Sequence, residues 1–258
     1  MILYIKSEFY RLQRYKWTYL FIALCSLLLL SSNIVLAVLK YTDASFPYAT
    51  TYFSFSNVTT SMVMVYVLCI VVSSMVFGNE HAGHTMKNSV SYGISRGKIY
   101  FGKLIVQMVY AIAAFTIIIG FHVISSYLLL EDSGIQQLKI LLRACTAALP
   151  LFLFGLAASN CFTFNIEGSG AIAASSGLMI ALPLVCNALG MKFHLFEELT
   201  KLLPWNILSY IGSDDKAGSL IFYWTDSVGY RNCWILGTVQ TILIAFAGYL
   251  WFRKKEIK

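Results

Sequence analysis

The sequence predicts an all-α membrane protein with six transmembrane helices, on the strength of three observations. Of 258 residues, 58% are hydrophobic and only 12% charged, with a mean hydropathy of +0.71; a soluble domain carries about 25% charged residues. Six stretches, each long enough at about 20 residues to cross the hydrocarbon layer as a helix, contain no acidic residue. Lysine and arginine, 19 against 12 acidic residues, fall between those stretches in an uneven pattern. The net charge of +7 therefore reads as basic cytoplasmic loops rather than a nucleic-acid surface.

The spans cover residues 17–39, 58–78, 104–130, 144–164, 170–189 and 233–252 of one transmembrane domain. With both termini on the cytoplasmic side, the inner segments hold 12 of the 19 basic residues and the outer ones 7. The first apolar run exceeds the about 7–15 residues of a leader's core and lacks an A-x-A-like site, so it reads as a span and not a cleaved signal. Cys25, Cys69, Cys145, Cys161, Cys186 and Cys233 lie in or beside spans, without metal-ligand spacing, and read as packing residues.

Residues 1–16 place Ile2, Ile5, Phe9 and Leu12 on one helical face, with Lys6, Arg11 and Arg14 largely elsewhere. This is the pattern of an amphipathic helix at the inner membrane surface. Residues 79–103, NEHAGHTMKNSVSYGISRGKIYFGK, form a basic loop longer than a connector requires. Its pattern predicts a short helix around residues 82–90, a Ser-Tyr-Gly turn, and a helix that starts near Ser95 as N-cap and runs into the third span. GISRGKI has three residues between its glycines and Ile99 where a phosphate loop needs Ser or Thr, and HAGH lacks the Glu and third ligand of a zinc site.

In residues 190–232, Phe193, Phe196, Leu199, Leu202 and Leu203 form an apolar stripe ended by Pro204, with Trp205 and Tyr210 suited to a membrane interface. The segment reads as helices on, or dipping into, the outer leaflet, either as a gate or as an anchor. Few polar groups interrupt the spans: Asn33, Gln107, His122, Asn160, Asn187 and Gln240. Without embedded carboxylates an ion-coupled carrier is disfavoured, Asn165 and Glu167 lying at the turn after the fourth span. His122, Asn160 and Asn187 are the candidates for a substrate path. Small residues spaced by four, Gly155 with Ser159, Gly170 with Ala174 and Ala173 with Gly177, predict close helix packing. No catalytic set emerges, and the adjacent Glu197 and Glu198 lack the Arg of an intramembrane protease, Leu202 standing in its place.

In order along the loop come Glu80, Thr85, Lys87, Asn88, Ile94, Ser95, Arg96, Ile99, Tyr100 and Lys103. This series resembles the cytoplasmic coupling segment of type-two ABC exporter permeases, especially the small six-span bacterial ones. His84 stands where that family often has Gly, with Gly83 one position earlier. The resemblance implies a non-catalytic permease in the bacterial cell membrane that pairs with a second copy or a related permease. It further implies two ABC ATPase subunits that hold ATP and Mg, leaving no cofactor on this chain. Glu80, Thr85, Lys87, Asn88, Ser95, Arg96 and Lys103 would serve docking and coupling, Lys87 and Arg96 as salt-bridge donors. The cargo it implies is hydrophobic or amphipathic: an antimicrobial peptide, a lipid or a drug. Export of a polymer or cell-wall precursor, and a sensor or scaffold without transport, are the alternatives.

Overall fold

A computed structural model describes residues 1–77, 89–209, 211–213 and 220–255. Helix α1 (Ile2–Arg14) ends at Tyr15, whose extended backbone (φ −85°, ψ 109°) redirects the chain into α2 (Lys16–Thr42). The apolar stripe of α1 is not left to lipid alone: Ile5, Phe9 and Leu12 pack on Val76 and Val106, while Ile2 is exposed.

The second span departs most from expectation. It starts earlier, as α3 (Thr51–Thr60), and continues as α4 (Met62–Phe77) after a 55° bend at Ser61. Its first half is rich in Ser, Thr and Asn, whose side chains compete for backbone groups. Thr59 and Thr60 hydroxyls donate to the carbonyls of Phe55 and Asn57, and the Ser61 N–H is shared between the carbonyls of Asn57 and Val58. The pair still crosses the bundle. Thr50 is bridged to Glu131 just beyond the end of α5 (Arg96–Leu129), whereas Phe77 packs on Phe164 close to the start of α5. Among the described residues, counting the bent pair with the five long apolar helices gives six candidate spans.

The 34 residues of α5 span about 51 Å, longer than the third span required because the helix begins inside the loop. Helix α6 (Ile135–Asn165) also starts earlier than expected and contains Pro150. Helices α7 (Ser169–Ser176) and α8 (Leu182–Gly190) are joined by a π-helical turn at Gly177–Ala181 into the fifth span. Two short helices follow, α9 (His194–Thr200) and α10 (Pro204–Ser209), and then a hairpin of β1 (Ile211–Ser213) and β2 (Leu220–Phe222), with Gly212 opposite Ile221. The hairpin is a small addition to the nearly all-helical architecture that was expected; Ile211 and the Leu-Ile-Phe run flank turn-forming residues, a hairpin pattern that helical stripes overshadow. Helix α11 (Ser227–Lys254) is capped by the Asp226 carboxylate, which accepts from the N–H groups of Ser227 and Val228.

The core is built around α6. Ala144, Ala147, Ala148, Ala157 and Ala158 are fully buried, and these small side chains let α4 and α11 approach closely. At the α11 contact a Cβ on Gly237 would lie 2.7 Å from the Pro150 carbonyl carbon, so only glycine fits there. The outer segment is divided: Pro204, Ile207 and Leu208 of α10 are buried, while Phe193, Leu195, Leu199 and Leu202 around α9 remain exposed.

Candidate functional site: an ion-paired joint beside the loop

Residues 78–88 leave the end of α4, and the chain returns through a turn in which Gly93 (φ 81°) donates to Val90 and Ile94 to Ser89. Glu80, Thr85, Lys87 and Asn88, together with the HAGH stretch and most of the helix expected at 82–90, lie outside the described residues. Ser95 holds the N-cap position of α5, although its side chain makes no cap bond.

Around that opening the helix ends are fastened by charge. Lys103 on α5, only 2% exposed, places its ammonium 3.0 Å from a Glu8 carboxylate oxygen on α1 and over the Phe77 ring at 5.5 Å. Arg11 approaches the same Glu8 oxygen at 2.7 Å and donates to the Val76 carbonyl at 2.6 Å. That carbonyl belongs to the last turn of α4, where the helix dipole favours a cation. The approach of α1 to α5 is close because Gly102 faces Tyr4: a Cβ there would lie 2.7 Å from the Tyr4 ring.

Arg96 ties the other side. One of its guanidinium nitrogens donates to the carbonyls of Phe252, Arg253 and Lys255, which end α11. Lys255 in turn donates to the Phe164 carbonyl at 3.4 Å and lies 3.6 Å from Glu167. Between these straps Phe77, Tyr100, Phe164 and Phe252 form one aromatic cluster. The joint thus holds α1, the end of α4, the start of α5, the end of α6 and the end of α11 together. Arg96 and Lys103, expected to serve docking and coupling, are both engaged within the chain.

The three candidate path residues are not brought together. His122, 2% exposed, sits near the far end of α5 in a neutral network. There Asn33 donates to Ser125 and Ser126 at 2.8 and 3.0 Å and accepts from Ser54 at 2.7 Å; Ser54 also lies 3.3 Å from His122 Nε2. Asn160 is fully buried in α6, and its side-chain amide has no hydrogen-bond partner among the described residues. Asn187 exchanges two 2.9 Å bonds with Asn206, pinning α10 to α8. Of the three, only His122 lines the cavity of about 410 Å³ between α2, α3, α4, α5 and α6.

Sequence reasoning missed Glu8 as a site residue, although the signal was present. Ile5, Glu8 and Leu12 occupy one helical stripe, as do Ile99, Lys103 and Val106. A lone charge inside each of two apolar stripes points to a pair. Asn33, Ser54, Ser125 and Ser126 offered a weaker cue: Ser125 and Ser126 lie one turn after His122.

A comparison with curated proteins finds no match. Residues 4–168, well over half of the chain, match the family described as ABC-2 family transporter protein. With its several apolar spans, the chain is a multi-pass membrane protein that belongs to the ABC-2 transporter family as a permease.

Proposed function

We propose that the chain is the permease subunit of an ATP-driven exporter in the bacterial cell membrane, with both termini cytoplasmic. It forms the path for a hydrophobic or amphipathic cargo, an antimicrobial peptide, lipid or drug, and works with a second permease copy or a related one. Two ABC ATPase subunits, which hold ATP and Mg, dock on residues 79–103. The observation that carries this reading is the joint, because it fastens four other helix ends to the segment from which the loop emerges.

Force applied to the loop reaches α5 directly, since the chain passes from the Gly93 turn into that helix. Through Lys103 and Glu8 it moves α1, and through Arg96 it moves the end of α11. The spans then tilt between two arrangements, with the bend at Ser61 giving α3 freedom from α4. Glu80 and Lys87 contact the ATPase, whereas Arg96 and Lys103 transmit the motion.

The test is co-purification of the tagged full chain from mild detergent, followed by mass spectrometry. A stoichiometric ATPase is expected, and it should be lost when residues 79–94 are replaced by a flexible linker of equal length while membrane insertion persists. Recovery of the chain without an ATPase in several mild detergents overturns the proposal. Arg96→Ala should retain ATPase binding but lower coupled transport by about tenfold, as lost charge-assisted bonds free the end of α11.

A further inference from the structure

We propose that the cavity walled by α2, α3, α4, α5 and α6 binds a neutral, single-chain amphiphile, whose uncharged hydroxyl or amide head meets Ser54, Asn57 and His122. The inference deepens the reading of the chain as a permease for amphipathic cargo and rests on it for the biological role of the ligand.

The walls exclude a charged head. Among the described residues no Asp, Glu, Lys or Arg lines the cavity, and an ion placed there within the membrane would lack a counter-charge from them. Polarity is also graded along the bundle. Ser32, Ser54, Asn57 and His122 lie toward the far end, where Thr50 meets Glu131, whereas Cys25, Leu68, Val72, Leu153 and Leu156 line the part nearer the joint. A ligand of matching shape points its head to the far end and its chain toward the middle of the membrane.

The network has an acceptor to spare. The Ser126 hydroxyl donates to the His122 carbonyl, and the Ser54 hydroxyl donates to Asn33. In the arrangement where the Ser54 proton stays on Asn33, the Ser54 oxygen accepts from His122 Nε2–H. In that tautomer His122 Nδ1 carries a lone pair with no partner among the described residues. Nδ1 is closed off from solvent, so a small shift of the side chains around it brings it to a ligand O–H or N–H, which a group without a proton cannot supply. The exposed Asn57 adds both a donor and an acceptor at the cavity wall.

Size and access narrow the class further. A volume of 410 Å³ lies near the low end of small-molecule sites, about 300–1,000 Å³, and suits one chain with a small head. Leu28, Ser32, Asn57, Ser61 and Met64 are exposed along the wall. They sit midway along α2 and at the α3–α4 bend, so the opening faces sideways within the membrane thickness. The ligand therefore arrives from the bilayer.

The experiment uses the full chain in phosphatidylcholine nanodiscs without ATPase, so that its failure leaves the co-purification result untouched, and the reverse. Three photoreactive diazirine probes of equal chain length are compared: an alkanol, an alkanoate and an alkyltrimethylammonium, with labelled peptides mapped by mass spectrometry. The alkanol is expected to label α3 and α5 at least about tenfold more than the charged probes, and excess monoacylglycerol should protect. Leu153→Trp, which fills the cavity without touching the network, should abolish this labelling. His122→Phe should weaken the alkanol about tenfold and leave an uncharged alkyl diazirine without a hydroxyl unaffected. Equal labelling by all three heads, labelling undiminished by Leu153→Trp, protection by two-chain phospholipid as strong as by monoacylglycerol, or loss of the site on cross-linking two copies would each overturn the proposal.

Discussion

The buried ties at the two ends of the bundle are of opposite chemistries. Beside the loop, Glu8, Arg11, Lys103 and Arg96 use formal charge, much of it buried. At the far end, Asn33, Ser54, His122, Ser125 and Ser126 form a buried network of neutral hydrogen bonds, and the Lys40–Glu131 ion pair at 3.3 Å lies on the more exposed surface. A buried ion pair is close to all-or-none, because removing one partner strands the other charge, whereas a neutral network can lose a member and re-pair. On the proposed reading, the charged end moves as a unit and the neutral end rearranges around its ligand.

The sharpest way to break this contrast is Glu8→Ala. Taking the Glu8 carboxylate from Lys103 and Arg11 should cost about 1–3 kcal/mol in the docking of α1, read as faster amide hydrogen exchange through Ile2–Arg14. The double variant Glu8→Leu with Lys103→Met should recover part of the protection, since the two facing positions then pack without charge. Protection unchanged in the single variant would show that the pair does not hold α1. Next in size, Asn33→Leu should lower the unfolding midpoint in detergent by an equivalent of about 1–2 kcal/mol. A larger loss than for Glu8→Ala would reverse the ranking of the two ends.

The smallest effect belongs to the exposed pairs on α9. Lys201, 2.6 Å from Glu198, holds that carboxyl below its usual range. Whatever the pair adds is present above the ordinary carboxylate range and fades as pH falls through the lowered value. Because both groups are solvent-screened, Lys201→Ala should leave the thermal midpoint unchanged at neutral pH.

Much of the fold was legible because charge-free apolar runs have few other uses, and each expected span has its helix or helix pair. Burial was not. The apolar windows of α2 and α6 have similar mean hydropathy, 2.5 and 2.0, yet 6% of one and 61% of the other is buried. In lipid, hydropathy tells which segments cross, and small residues tell which lie centrally. The alanines of α6 carried that second signal. The break at Ser61 was hidden because side-chain competition for backbone bonds is local, while span detection averages over a window.

The site was legible in its pieces and not in its pairing. Family resemblance drew attention to Arg96 and Lys103 as docking and coupling residues. Their contacts within the chain, to the end of α11 and to Glu8, join segments far apart in sequence. Asn187 seemed a path residue because a polar group in a span is costly, and the structure meets that cost with Asn206.

The Glu8–Lys103 pair also orders events during synthesis, because its members stand 95 residues apart in the chain. When α1 leaves the ribosome, its carboxylate has Arg11 one turn on, but its buried partner does not yet exist. The nascent helix must wait at the membrane surface with Glu8 hydrated, through insertion of two complete spans, until the third delivers Lys103. Docking of α1 therefore reports that α5 has been inserted in the correct orientation; a chain with α5 inverted would leave the carboxylate in water and its N-terminal helix undocked, distinguishable by quality control.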